Sequence, residues 1–346
     1  MLRILDANLN RIGEGLRLLE DICRFTLNDS GLSEQLKALR HELLPKGRSF
    51  QEKLLNARQV AEDVGASLEV DSEGERPDVI SLVRANSSRV EQSLRVLEEI
   101  TKIPGQDFGL DWEKLKSARF TLYDLEQRIF LKLSRHDRTK KITGLYLILD
   151  AQALAGQNEV EVTRQAIQGG ASTIQLRDKI RPKGELIPLA QELQKVCAES
   201  NVLFIVNDHL DVALASDADG LHLGQEDLPL PIARRLLPVD RILGSSAATL
   251  DEALEAQEQG ADYVAVGSIY PTPSKPGTRL AGLDTLRQVK GKVSVPVVAI
   301  GGINEDNVAE VINAGADAVA VISAVLGAND VKEASRRLTA RIGGER

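Results

Sequence analysis

The chain has 346 residues, 42% of them hydrophobic and 27% charged, which excludes a disordered or collagen-like chain and leaves room for two domains. Its net charge of −8 argues against nucleic acid or an anionic membrane surface as the main partner, but not against a local basic pocket for a small anion. The first residues, MLRILDANLNR, lack the apolar core of a signal peptide, no apolar run approaches about 18 residues, and Cys23 and Cys197 have no metal-type spacing, so the expectation is a cytoplasmic protein with reduced thiols.

The segment before residue 134 is charged and patterned for helices. It contains an internal repeat, since ANLNRIGEGLRLLEDI (7–22) matches ANSSRVEQSLRVLEEI (85–100). The leucines fall at helical spacing, so both copies read as amphipathic helices. Matched polar residues are Asn8, Arg11, Arg17 and Glu20 in the first copy and Asn86, Arg89, Arg95 and Glu98 in the second. Two readings stay open: a duplicated helical hairpin with surface ion pairs, or two matched anion-binding edges flanking one phosphate. A short strand is expected within 57–70 and a third helix over 111–133. SRHDRTKK (134–141) is basic and polar, and residues 135–142 are taken as a linker between an N-terminal domain, 1–134, and a C-terminal one, 143–346.

From residue 143, β-branched apolar runs alternate with amphipathic stretches. Eight strand candidates appear: GLYLILD (144–150), STIQLR (172–177), LFIVND (203–208), GLHLG (220–224), RILGSS (241–246), YVAVGS (263–268), VPVVAI (295–300) and AVAVIS (318–323). Alternating strands and helices mean βαβ units and a parallel sheet. The count of eight predicts a C-terminal (β/α)8 TIM barrel, an α/β fold, behind a mainly helical N-terminal domain. A doubly wound open sheet is disfavoured by that count and by the lack of a glycine-rich dinucleotide fingerprint after the first strand.

A barrel gathers its chemistry where the strands end. The second strand ends in Gln175-Leu176-Arg177-Asp178-Lys179, whose guanidinium and ammonium suit a polyanion. The third ends in Asn207-Asp208, and the fourth is followed by Gln225-Glu226-Asp227. Two carboxylates converging from adjacent strands repel. A divalent cation would relieve them, and few hard oxygen ligands favour Mg²⁺, with Asp208 and Asp227 as ligands ahead of Glu226. The fifth strand ends in Gly244-Ser245-Ser246, and the sixth leads into IYPTPSKPGT with Thr272, Ser274 and Lys275. Gly301-Gly302 and Ser323 follow strands seven and eight, where barrels commonly hold a phosphate. His222 lies within a strand and reads as a hydrogen-bonded core residue, while His209 bounds the next helix and His41 and His136 have no evident partner. Two anion sites result, one sized for a pyrophosphate and one for a single phosphate, which points to a transfer with pyrophosphate departure.

QLRDK (175–179), VND (206–208), GLHLGQED (220–227), GSSA (244–247), PTPSK (271–275), AIGGI (299–303) and AVISA (320–324) together resemble the thiamine phosphate synthase family, also called thiamine-phosphate pyrophosphorylase, over roughly 143–342. The resemblance implies a transferase on a (β/α)8 barrel that joins hydroxymethylpyrimidine diphosphate to thiazole phosphate, with Mg²⁺ and release of pyrophosphate. It implies a substrate site of Gln175, Leu176, Arg177, Asp178, Lys179, Asn207, Ser246, Thr272, Pro273, Ser274, Lys275, Gly302, Ile322 and Ser323. Within it Arg177, Lys179 and Lys275 attend the leaving group, Asp208 and Asp227 bind the metal, and Ser246 lies near the pyrimidine. The implied mechanism is dissociative, with a pyrimidine methylene cation captured by the thiazole nitrogen. Ser274 stands where threonine is common in the family, and Ser245 where an apolar residue is.

DANLNRIGEGLRLLED, AEDVG and RANSSRVEQSLRVLEE resemble an accessory domain fused to some of these synthases. Relatives of that domain are associated with phosphorylating hydroxymethylpyrimidine phosphate, which would make ATP a partner of residues 1–134. The competing reading is a non-catalytic oligomerisation or regulatory module in a homo-oligomer. A thiazole tautomerase-like paralogue ranks below the synthase, because it has less need of the paired carboxylates and the QLRDK cluster.

Overall fold

The computed structural model describes residues 1–45, 47–58, 76–104, 108–272 and 279–344. The chain divides into two compact units, Met1–Ser134 and Arg135–Arg346. The strand expected within 57–70 falls almost wholly outside the described residues.

The first unit is helical. Its helices are α1 (Leu2–Phe25), α2 (Ser30–Leu43), α3 (Arg48–Asn56), α4 (Val79–Thr101) and α5 (Trp112–Thr139), the last running across the unit boundary. Leucines at helical spacing, Leu5, Leu9, Leu16 and Leu19 on α1 with Leu94 and Leu97 on α4, bury against Leu32 and Leu36 of α2 and Leu122 and Leu125 of α5. Asp29 caps α2 by accepting from Leu32 N at 3.0 Å, and Asp78 caps α4 by accepting from Ser81 N at 2.6 Å.

The repeat is a duplicated hairpin. Glu20 on α1 is buried and takes Arg40 of α2 at 2.9 Å. Glu98 on α4 is buried in the matching place and takes Arg119 of α5 at 3.3 Å. Arg17 and Arg95 reach those same glutamates along their own helices, at 3.6 and 2.7 Å. Asn8 and Asn86 donate to the carbonyls of Ile4 and Leu82, at 2.8 and 2.9 Å. The matched asparagines and Arg17 and Arg95 thus serve the fold, which favours the duplicated hairpin for these residues.

The second unit is a closed parallel barrel in the order β1-β2-β3-β4-β5-β6-β7-β8. The strands are β1 (Gly144–Asp150), β2 (Ala171–Arg177), β3 (Leu203–Asn207), β4 (Gly220–Leu223), β5 (Ile242–Ala247), β6 (Tyr263–Val266), β7 (Val297–Ile300) and β8 (Ala318–Val321). Each falls on one of the eight strand candidates. Strand alternation sorts the side chains into two layers. Leu147, Ile174, Val206, Leu221, Leu243, Val264, Ala299 and Val319 face the surrounding helices. Tyr146, Ile148, Ile205, Ile242, Tyr263, Val298 and Ala320 fill the interior.

The segment taken as a linker differs from expectation. Residues 135–139 are helical, the last turns of α5. Their basic character has a local cause: Arg135 pairs with Asp262 at 3.3 Å, and Arg138 pairs with Asp240 at 2.8 Å and Asp219 at 3.4 Å. Those three carboxylates precede β6, β5 and β4, so this segment is fastened to the N-terminal rim of the barrel.

One carboxyl in the first unit makes its stability pH-dependent. Burial, then the charge and hydrogen bond of Glu126, push the Glu91 carboxyl from 4.5 up to about 7. The folded unit therefore holds a proton that the unfolded chain releases. The resulting stability is fully present below the unfolded value and is lost as pH rises through about 7. Glu91→Gln should flatten this fall in denaturation followed by Trp112, the single tryptophan, between pH 4.5 and about 7. An unchanged slope in the variant would contradict the assignment.

Candidate active site

The last inward positions of the strands converge at the C-terminal mouth of the barrel. They are Asp150, Arg177, Asn207, His222, Ser246, Ala265 and Ile300, with Ile322 just beyond β8. The β1–β2 register sets Asp150 beside Arg177, and an ion pair joins the two side chains. Asp150 also accepts from Gln152 N and Ala153 N, both at 3.1 Å, which ties the guanidinium to the turn after β1.

Beside that pair lie the carboxylates after β3 and β4. Lys179 Nζ is 2.9 Å from Asp208 Oδ2. Asp208 sits at φ 62°, a left-handed conformation that Asp and Asn adopt more readily than other non-glycine residues. Asp227 accepts from Gly224 N at 2.7 Å. Burial, and then the hydrogen bond and charge of Asp208, push the Asp227 carboxyl up, while Gly224 N and Lys179 pull it down. Two carboxyl groups are thus held face to face, with an exposed ammonium beside them. Glu226 is exposed.

The opposite side of the mouth is built from glycine turns. Gly301 and Gly302 have φ of 102° and 66°. A Cβ on Gly302 would lie 2.7 Å from Pro271 O and 2.8 Å from Tyr270 Cβ, so the β7 turn is pressed against the chain leading to Thr272. Tyr270 N donates to Gly301 O at 3.0 Å, and Asn307 donates to Gly302 O at 3.0 Å. Ser323 opens a four-residue helix after β8 and is exposed, with Ile322 partly buried beneath it. Pro273, Ser274 and Lys275 lie outside the described residues.

Two side chains of the QLRDK cluster depart from expectation. Leu176 occupies an outward position and packs in the layer between sheet and helices. Asp178 is buried and accepts from Ile180 N at 2.8 Å and Arg181 N at 3.0 Å, so it shapes the loop instead of facing the mouth. Gln175 is inward and buried, and donates to Tyr146 Oη at 2.8 Å. Ser246 meets His222 Nε2 at 2.9 Å. Ser245 lies in the outward layer, 2% exposed, a position that would accept an apolar side chain. Asp150, Tyr146 and Tyr263 were not anticipated. Asp150 ends a strand candidate, and the strand-end rule that selected its neighbours would have found it. The tyrosines carried only a compositional signal, being two of four in a chain poor in aromatics.

Residues 145–325 match the family described as thiamine monophosphate synthase, and residues 3–128 match the ThiD2 family. A thiamine-phosphate synthase of Thermosynechococcus vestitus is 40% identical over 342 residues, 98% of this chain and 94% of the relative. The chain belongs to the thiamine-phosphate synthase family. A second member, from Synechocystis, is 40% identical over 340 residues, 98% of this chain and 96% of its own. Among solved structures, a thiamine phosphate pyrophosphorylase from Pyrococcus furiosus is 44% identical, spans 60% of this chain and 98% of its own, and superposes with a TM-score of 0.55. Members of this synthase family are transferases, and barrels of this fold generally carry their chemistry at the C-terminal ends of the strands. Among the described residues no helix is long and apolar enough to cross a membrane.

Asp150→Ala should lower the barrel's stability by about 1–3 kcal/mol in urea unfolding, because Arg177 and two backbone N–H groups lose their acceptor. No loss would mean that solvent replaces Asp150 at no cost.

Proposed function

We propose that the barrel joins hydroxymethylpyrimidine diphosphate to thiazole phosphate, giving thiamine phosphate and pyrophosphate. The observation that carries this reading is the arrangement of charge at the mouth. Arg177, Lys179, Asp208 and Asp227 are grouped on one side, and a glycine turn with Ser323 lies on the other. A diphosphate suits the first and a monophosphate the second. The carboxylate pair and the QLRDK cluster also favour the synthase over a tautomerase-like paralogue.

The donor set fits Mg²⁺. Asp208 and Asp227 offer hard oxygens held close enough for one to raise the proton affinity of the other, a repulsion that a divalent cation relieves. When bound, Mg²⁺ would supply positive charge to the departing pyrophosphate. Arg177, oriented by Asp150, and Lys179 add fixed positive charge at the same place, with Lys275 as a further candidate from the loop after β6. Asn207 and Gln175 hold the diphosphate substrate, and Ser246 faces its ring. The bond from the pyrimidine methylene carbon to the bridging oxygen breaks, and its electron pair leaves with pyrophosphate. The thiazole nitrogen lone pair then forms the new carbon–nitrogen bond. No proton is lost from the nitrogen, which suits a site organised around charge and position without a general base. Thr272, Ser274, Gly302, Ile322 and Ser323 receive the monophosphate.

For residues 1–134 the reading is phosphorylation of hydroxymethylpyrimidine phosphate by ATP, supported by the ThiD2 match. Its product would be the barrel's substrate. An oligomerisation module is the second reading. Small-molecule substrates are the partners in either case.

Ser323→Ala should raise the KM for thiazole phosphate more than that for the pyrimidine diphosphate, by about tenfold for a lost phosphate contact. An effect confined to the pyrimidine would place the monophosphate elsewhere. For the first unit, the whole chain is supplied with Mg²⁺, thiazole phosphate, hydroxymethylpyrimidine monophosphate and ATP. Thiamine phosphate is the expected product, and formation only from the diphosphate would leave residues 1–134 without a kinase role.

A further inference from the structure

Five inward side chains from five strands form a continuous line of hydrogen bonds across the barrel interior. Gln175 Nε2 on β2 donates to Tyr146 Oη on β1 at 2.8 Å. Tyr146 Oη lies 2.9 Å from Tyr263 Oη on β6. Tyr263 Oη lies 3.0 Å from His222 Nδ1 on β4, and His222 Nε2 lies 2.9 Å from Ser246 Oγ on β5. The first four residues are buried, between 0% and 6% exposed, among Ile148, Ile205, Ile242 and Val298. Ser246 alone is partly exposed at the mouth. The line is a built feature of the barrel. The imidazole stacks on the Tyr263 ring with centroids 5.5 Å apart, and a Cβ on Gly244 would come within 2.1 Å of that ring, so residue 244 must be glycine to admit the tyrosine.

Counting protons gives the line a direction. Burial pushes both phenols up, so each keeps its single proton at neutral pH. An amide nitrogen only donates, so Tyr146 accepts from Gln175 and turns its own proton to Tyr263. Tyr263 then turns its proton to His222 Nδ1. A neutral imidazole that accepts at Nδ1 carries its proton on Nε2, and that proton goes to Ser246 Oγ. The serine is left with its own hydroxyl proton free to point at a ligand. The reverse order would require the carbonyl oxygen of Gln175 to face Tyr146, and would turn the Ser246 proton inward.

We propose that Tyr146, Tyr263 and His222 are positioning residues that fix Ser246 as a hydrogen-bond donor to the pyrimidine. The mouth thereby selects a heteroaromatic ring that presents an unprotonated, accepting nitrogen at that point. The inference rests on the reading above that Ser246 faces the pyrimidine ring. It assigns roles to three residues that need not touch the substrate, and it makes the two ends of the line, Gln175 and Ser246, respond together, because reversing one link reverses all of them.

The test joins nitrogen NMR of the histidine-labelled full chain to steady-state kinetics. The chain has four histidines, and the His222 signal is identified by its loss in His222→Gln. The expected wild-type signature is the Nε2–H tautomer. Tyr263→Phe keeps the ring and its packing but removes the central hydroxyl. It should convert that signature to a mixture of tautomers and lower kcat/KM for the pyrimidine diphosphate about tenfold, mostly through KM, with the KM for thiazole phosphate unchanged. Tyr146→Phe should act in the same direction. An Nδ1–H tautomer in the wild type overturns the proposal. So does a Tyr263→Phe chain whose His222 signature and pyrimidine KM both match the wild type. The NMR arm needs no substrate, so a protein without synthase turnover would refute the functional reading while the tautomer still decided the direction of the line.

Discussion

The structure depends on one geometric constraint, the closure of eight short parallel strands with a side-chain period of two. Closure forces alternate residues into a common interior, and parallel direction brings every last inward residue to the same rim. Asp150, Arg177, Asn207, His222, Ser246 and Ile322 meet there although they are spread over most of the C-terminal unit. The same constraint explains Leu176 and Ser245. Each sits one place out of phase with its functional neighbours and faces the helix layer instead of the mouth.

On this frame the mouth is preorganised in charge. Arg177 is held by Asp150, and Asp150 is held in turn by two backbone N–H groups of the following turn. Lys179 is drawn to Asp208, which faces Asp227. A chain folding only for stability would not set two partly buried carboxyls together. The pairing is intelligible if the site receives positive charge from outside, which is the physical basis for proposing a divalent cation here. A departing pyrophosphate needs its charge neutralised as it forms, and groups fixed in advance do this without reorganising.

The sequence was legible where local pattern and global fold agree. Tyr263–Val266 and Ala318–Val321 are short and largely apolar, and each follows a Gly-Ala-Asp turn, so the period and the start of each strand were visible, while the candidates ran two residues past each strand's end. The polar ends of β2, β3 and β4 were visible for the same reason. What sequence could not show was commitment. Asp178 looks like a ligand-binding carboxylate in QLRDK, but its partners are the N–H groups of Ile180 and Arg181. Asn8 looks like part of an anion edge, but its amide serves a helix carbonyl. The basic run at 134–141 looks like a linker, yet Arg135 and Arg138 answer acidic residues that lie far along the chain. In each case the deciding contact is non-local, and no periodicity encodes it. The interior line from Gln175 to Ser246 was hidden for the same reason, since its five members come from five strands.

The central claim is that Asp208 and Asp227 form one metal site completed by the pyrophosphate group. Calorimetric titration of Mg²⁺ into the full chain, with and without saturating inorganic pyrophosphate, tests it most directly. The account predicts weak binding alone, much tighter binding with pyrophosphate, and loss of that enhancement in Asp208→Asn and in Asp227→Asn chains that remain folded. Mg²⁺ binding that ignores pyrophosphate, or that survives both substitutions, would contradict it.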